Sequence, residues 1–142
     1  MRLLTIIILL SFSTIARGQS DKVLKLRFDG FYQTAAEIDK KDKDTTVAFL
    51  RFYPNGQVLS VTAVGTAQDL KAWFNTDNKD VSKGHYEIKD NGLYFSTTSI
   101  SGTVVYNGKI ISQFLLSLKS KSLINGYKAK ERFYFVKVEG LK

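Results

Sequence analysis

One histidine, no cysteine and thirteen acidic residues bound the chemistry open to this chain of 142 residues. His85 lies in HYEIKDNGLYF, where alternation places it with Glu87 and Lys89 on the face opposite Ile88. That is the solvated side of a strand, a poor setting for a general base. Asp29, Asp77, Asp80 and Asp90 fall at strand ends or turns, where short carboxylates serve as turn formers. A paired-carboxylate hydrolase would need acids from distant strands to converge, and no motif marks such a pair. The run STTSISGT, Ser96 to Thr103, carries hydroxyls without a nucleophile elbow, and its threonines are ordinary strand residues. Without cysteine there is no thiolate metal site, no redox chemistry and no disulfide. The expectation is a non-enzymatic protein with no catalytic residue, metal or cofactor.

The elements that would position any site are strands. Asn-Gly recurs at Asn55-Gly56, Asn91-Gly92, Asn107-Gly108 and Asn125-Gly126, each between runs rich in Val, Ile, Tyr, Phe and Thr. Both residues tolerate positive φ, so the dipeptide between strand-like runs is a strong hairpin signal. A two-residue turn at Asn91-Gly92 sets Ile88 opposite Phe95, Tyr86 opposite Thr97 and Glu87 opposite Ser96. The same rule at Asn107-Gly108 pairs Val105 with Ile110, with Ser112, Phe114, Leu116 and Leu118 continuing on that face. In RFYPNGQVLSV, Pro54 favours a type I turn with Gly56 in a bulge, whereas matching Ala48, Leu50 and Phe52 to Leu59 and Val61 requires a two-residue turn. The bulge is preferred, and the inward set of that hairpin stays open.

Eight strands are predicted, over residues 23–35, 46–53, 57–64, 84–90, 93–99, 102–106, 109–119 and 127–138. Short links make neighbours antiparallel, and closing an eight-strand meander removes its two edges. The fold class is therefore an all-β, eight-stranded, antiparallel up-and-down barrel. The charged link EIDKKDKD, Glu37 to Asp44, reads as a solvated loop without chemistry. In TAQDLKAWFN, Thr66 and Asp69 fit a helix start, and Leu70, Trp73 and Phe74 share one helical face. One short helix is thus expected between the third and fourth strands, lying across a barrel mouth with Trp73 as a plug.

Compartment and charge narrow the partners. Met1-Arg2 followed by LLTIIILLSFSTIA and Arg17-Gly18 reads as a secretory signal over residues 1–18, cleaved near Gly18. Residues 19–142 would form one domain, exported to the periplasm or the outside, without a transmembrane segment. The net charge of +8 falls to +6 once Arg2 and Arg17 are lost, which suits acidic partners. Export removes most nucleic acid from reach, so no nucleic-acid partner is expected.

The stretch RFDGFYQT, Arg27 to Thr34, the eight-strand meander and the single exported domain resemble the lipocalin-like proteins, in particular small exported bacterial members. In that family a Gly-x-Trp on the first strand closes the barrel base beneath an Arg from near the last strand. The resemblance places Gly30 and Tyr32 at the matching positions and Arg132 as counterpart of the Arg. Tyr replaces Trp here, and the family's common disulfides are missing. The resemblance implies a container for a small apolar molecule, with Tyr86, Phe95, Phe114 and Phe133 as lining and Leu70, Trp73 and Phe74 as lid. Thr97, Thr103 and Ser112 would leave a polar gap among large inward residues. The alternative is a solid-core interaction or structural module that presents a basic surface to an envelope partner.

Overall fold

The computed structural model describes residues 25–38 and 43–142. The proposed signal segment lies outside the described residues. Nine strands run in chain order: β1 (Gly30–Gln33), β2 (Glu37–Ile38), β3 (Thr45–Phe52), β4 (Gln57–Ala63), β5 (Ser82–Lys89), β6 (Gly92–Ser99), β7 (Gly102–Ser112), β8 (Leu115–Ser122) and β9 (Lys128–Lys137). Every pairing is antiparallel, and consecutive strands from β3 to β9 are neighbours. β1 closes the cylinder by pairing with β9 (Tyr32 opposite Phe135) and with β3 (Tyr32 opposite Leu50). This is the expected closed eight-stranded barrel. The two-residue β2 is a flap on β3, with Glu37 opposite Thr46, within the stretch expected to be loop.

Alternation along the strands builds two cores. Residues pointing inward, among them Tyr32, Leu50, Phe52, Phe95, Ile110 and Phe133, form the barrel interior. Phe31, Val47, Phe49, Leu59, Phe74 and Val81 form a second cluster on the outer face of β1, β3 and β4. β3 is consequently apolar on both faces, which is why matching Ala48, Leu50 and Phe52 to Leu59 and Val61 points to the wrong register for the first hairpin. Turn chemistry sets the right one. Gly56 N donates to Tyr53 O at 3.1 Å, Tyr53 N donates to Gln57 O at 2.9 Å, and Gly56 sits at φ 90°. That is the type I turn with a glycine bulge, and it pairs Phe52 with Val58 and Leu50 with Ser60.

Two other turns differ from expectation. The reversal between β5 and β6 is Asp90-Asn91, with Asp90 at φ 56°, so Gly92 already belongs to β6. Ile88 then faces Leu93 rather than Phe95, Tyr86 faces Phe95 rather than Thr97, and Glu87 faces Tyr94 rather than Ser96. The partners move by two positions, so each side chain keeps its face. At Asn107-Gly108 there is no turn: β7 runs straight through, and the chain reverses at Gln113-Phe114 with Ser112 opposite Leu115. Gly108 answers a steric demand instead, because a Cβ there would lie 2.0 Å from Ser117 O on β8. Val105 therefore pairs with Lys121, and Ile110 with Leu116.

No helix forms among the described residues; the segment expected to hold one is a chain of turns. Its start is capped as predicted, with Thr66 N donating to Asp69 Oδ2 at 3.0 Å and Asp69 N to Thr66 Oγ1 at 3.2 Å. Only two separated i→i+4 bonds follow, Leu70 to Thr66 and Phe74 to Leu70. The segment lies along the barrel wall, where Phe74 meets Phe31 at 4.7 Å and Phe49 at 6.5 Å between ring centroids. Arg51, buried on that same outer face, fastens it by donating to Phe74 O at 2.5 Å and to the main-chain oxygen of Lys142 at 2.7 Å. A side wall has replaced the anticipated lid.

Candidate functional site: a polar well at the open end of the barrel

An eight-strand barrel is just wide enough either to be filled by its own side chains or to hold one small molecule. This one does the first at one end and leaves room at the other. At the floor, Phe52 makes edge contacts with Tyr32, Tyr86 and Phe95 at 5.7, 5.2 and 5.5 Å. Tyr32 hydroxyl donates to Gln113 O at 2.8 Å and accepts from Arg27 N at 2.9 Å, so the chain entering β1 and the β7–β8 turn seal the end together. The Arg27 guanidinium lies 4.4 Å from the Phe135 ring centroid and 5.1 Å from that of Phe114, and pairs with Asp29 at 2.5 Å. A cation does cover the aromatic base, but it is Arg27; Arg132 sits on β9 opposite Ser117, exposed on the outer face. Gly30 is required here because a Cβ would meet Val136 O at 2.0 Å and the Phe135 ring at 2.7 Å.

The open end holds a cavity of about 210 Å³ whose walls include Thr34, Glu37, Thr46, Thr62, Tyr106, Ser120, Tyr127 and Glu131, with Ala48, Ala129 and Phe133 contributing apolar surface. Register explains the convergence. Tyr106, Ser120 and Ala129 lie opposite one another across β7, β8 and β9, and Ala48 faces Thr62 across β3 and β4. Tyr106 stacks on Phe95 at 4.6 Å and 13°, and its hydroxyl lies 3.3 Å from Ser60 Oγ. Burial pushes the Tyr106 phenol up, opposed by the Ser60 hydrogen bond and reinforced by the charge of Glu131. Thr97 Oγ1, on the fully buried inward side of β6, has no partner of normal hydrogen-bond geometry, although its hydroxyl is near enough to Tyr106 to act against that upward shift. Burial raises the Glu131 carboxyl as well, and the Glu37 charge adds to the effect. Chemically, the well offers hydroxyl donors and acceptors and one half-buried carboxylate above an aromatic floor.

The expected site residues are dispersed by this arrangement. Phe133 lines the bottom of the well, and Phe95 supports it through Tyr106. Tyr86 is at the floor, donating to Tyr53 O at 2.7 Å. Phe114 belongs to the β7–β8 turn and is half exposed rather than inward. Phe74 is buried and Leu70 partly buried in the outer cluster, while Trp73 is 45% exposed, so none of the three caps the well. Thr97 points inward as expected. Thr103 instead shares the outer face with Thr98, its hydroxyl partner at 2.8 Å, and Ser112 accepts from Phe114 N at 3.1 Å in the turn. Tyr106, Ser120 and Glu131 were not anticipated. Glu131 shares the parity of Phe133, expected to line the interior, and of Phe135, which packs against the interior core, so the sequence carries a signal for an inward carboxylate. His85 is exposed, opposite Gln57 and Ser96.

Among the described residues, no group of three or more His, Cys, Asp or Glu is placed to hold a metal, and no helix is long and apolar enough to cross a membrane. The fold and the well together define a closed antiparallel β-barrel with one packed and one open end. Comparison with protein families, curated proteins and solved structures finds no match for the chain.

Proposed function

We propose that the protein is a non-enzymatic, exported, lipocalin-like binding module that seats a small molecule in the well at the open end of the barrel. The observation that carries this is the contrast in filling: aromatic rings occupy the floor, while about 210 Å³ stays free among hydroxyls and Glu131. That volume is below the roughly 300–1,000 Å³ usual for drug-sized ligands, which favours a compact ligand or one end of a longer one. Its polar groups would meet Tyr106, Ser120 and Glu131, and its apolar part Phe133 and Ala129. The filled floor favours a second reading, a solid-core interaction module, if the well holds only water.

Native mass spectrometry of the protein isolated from its host's envelope tests the proposal. The expected result is a small molecule that leaves on denaturation and is missing from a Ser120→Leu variant, whose larger side chain fills the well. A chain of bare mass in both samples contradicts it.

A further inference from the structure

Two features at the open end lie outside the well, and each is costly for a protein surrounded only by water. The first is apolar. The β6–β7 reversal carries Ile100, fully exposed, and the β8–β9 loop carries Leu123, Ile124 and Tyr127 at 59, 59 and 68% exposure. Single exposed hydrophobics are ordinary, but these four crowd two tips that touch. Leu123 N donates to Thr103 O at 2.9 Å, and Ile124 lies so close to Gly102 that a Cβ there would come within 2.3 Å of it. Turn positions normally favour Gly, Asn, Asp and Ser, so large aliphatic side chains at these tips are not explained by turn chemistry.

The second feature is charge. On the outer face just behind the tips, Lys121 lies directly opposite Lys128, and Lys119 directly opposite Lys130. Like charges placed across a strand pair destabilise it. Lys109 and Arg132 extend the face, both opposite Ser117. The ion pairs among the described residues, Arg27–Asp29 and Lys137–Glu139, are elsewhere. Two successive lysine pairs thus stand without a neutralising carboxylate.

We propose that these paired hairpin tips dock on an anionic lipid bilayer, with Ile100, Leu123 and Ile124 entering the acyl boundary and the lysine pairs meeting the headgroups. The dimensions agree with that arrangement. Lys121 and Lys128 sit just behind the tips, and Lys119 and Lys130 lie two residues, roughly 7 Å, further back. Apolar groups at an interface reach ~5–10 Å into the headgroup and acyl boundary, which leaves the lysines at the height of the phosphates. Tyr127 falls between the two zones, where an amphipathic ring is favoured. An acidic polymer would account for the lysines but not for the apolar tips. A protein partner would need a pocket for two protruding turns and a matching acidic shelf, whereas a bilayer supplies both without shape complementarity. Tyr127 also lines the well, so docking would turn the mouth of the barrel toward the lipid.

Co-sedimentation with vesicles tests this, using phosphatidylglycerol-rich and pure phosphatidylcholine vesicles and the same N-terminus in every sample. The expected result is binding to the anionic vesicles, reversed by high salt, and weak binding to the neutral ones. Lys121→Gln with Lys128→Gln should weaken binding about fivefold per lysine, and Ile100→Ser with Ile124→Ser by roughly tenfold or more. The lysine variant relieves repulsion, so it is expected to fold as well as the parent, which circular dichroism checks. Equal binding to both vesicle types, no binding, or anionic binding unchanged in the isoleucine variant would overturn the proposal. So would salt-sensitive binding to dextran sulfate without vesicle binding, which would assign the lysines to a soluble polyanion.

Discussion

The floor and the mouth of this barrel are built from the same strands with the same alternation, yet one is solid and the other hollow. The difference is side-chain size at equivalent inward positions. β3 contributes Phe52 to the floor and Ala48 to the mouth; β4 contributes Val58 and Thr62; β8 contributes Leu116 and Ser120. Large apolar groups at one end bury area and lock the cylinder shut. Small and hydroxylated groups at the other leave volume that water or a ligand fills. Packed and open volume are thereby separated along the barrel axis, and with them, on the proposed function, stability and binding, so substitutions at the two ends should have different signatures.

The largest effect is expected at the floor. Phe52→Ala removes a fully buried ring with three aromatic neighbours, and a loss of about 3–5 kcal/mol in chemical denaturation is expected. A loss below about 1 kcal/mol would mean that the floor is loosely filled. On the outer wall, Arg51→Met keeps the apolar stem but strands the oxygens of Phe74 and Lys142, at an expected cost of about 1–3 kcal/mol. Hydrogen exchange should then accelerate between residues 66 and 81 while β6–β8 stay protected. Tyr32→Phe removes the hydroxyl that joins Gln113 to Arg27, and about 1 kcal/mol is expected by the same denaturation assay.

At the mouth the smallest effect, and the opposite sign, is expected. Burial, with help from Glu37, holds the Glu131 carboxyl above its ordinary 4.5, so the folded chain binds that proton more tightly than the unfolded chain does. The charged carboxylate therefore weakens the fold at pH above its raised pKa, and the penalty vanishes below the ordinary value. Glu131→Gln should be slightly more stable than the parent at neutral pH, with the gap closing as pH falls through that window. A variant less stable than the parent at pH 7 would show that Glu131 is held by a favourable partner.

How much of this was legible depended on whether a local rule had a competitor. Pro54 left one comfortable turn, so the first hairpin was decided by turn chemistry even though both faces of β3 are apolar. Asn125-Gly126 likewise falls in a reversal, with Gly126 N donating to Ser122 O. At Asn107-Gly108 the same dipeptide misled, because glycine also serves close backbone approach between strands, and only the partner Ser117 distinguishes the two uses. Thr66 and Asp69 form the predicted cap, but Leu70 and Phe74 are drawn to the outer wall, which no local periodicity announces. The well is not legible in the sequence because its residues come from several strands, and each small or polar one reads by itself as ordinary strand composition. Their convergence depends on register, and at β7 the Asn-Gly turn rule gives the wrong one.

The most direct test of the solid floor and hollow mouth is a crystal structure of the protein under xenon pressure. The account predicts ordered water or ligand density among Tyr106, Ser120 and Glu131, and no xenon between Phe52, Tyr86 and Phe95. Xenon occupying a cavity at that floor, with side chains closing the mouth, would contradict it.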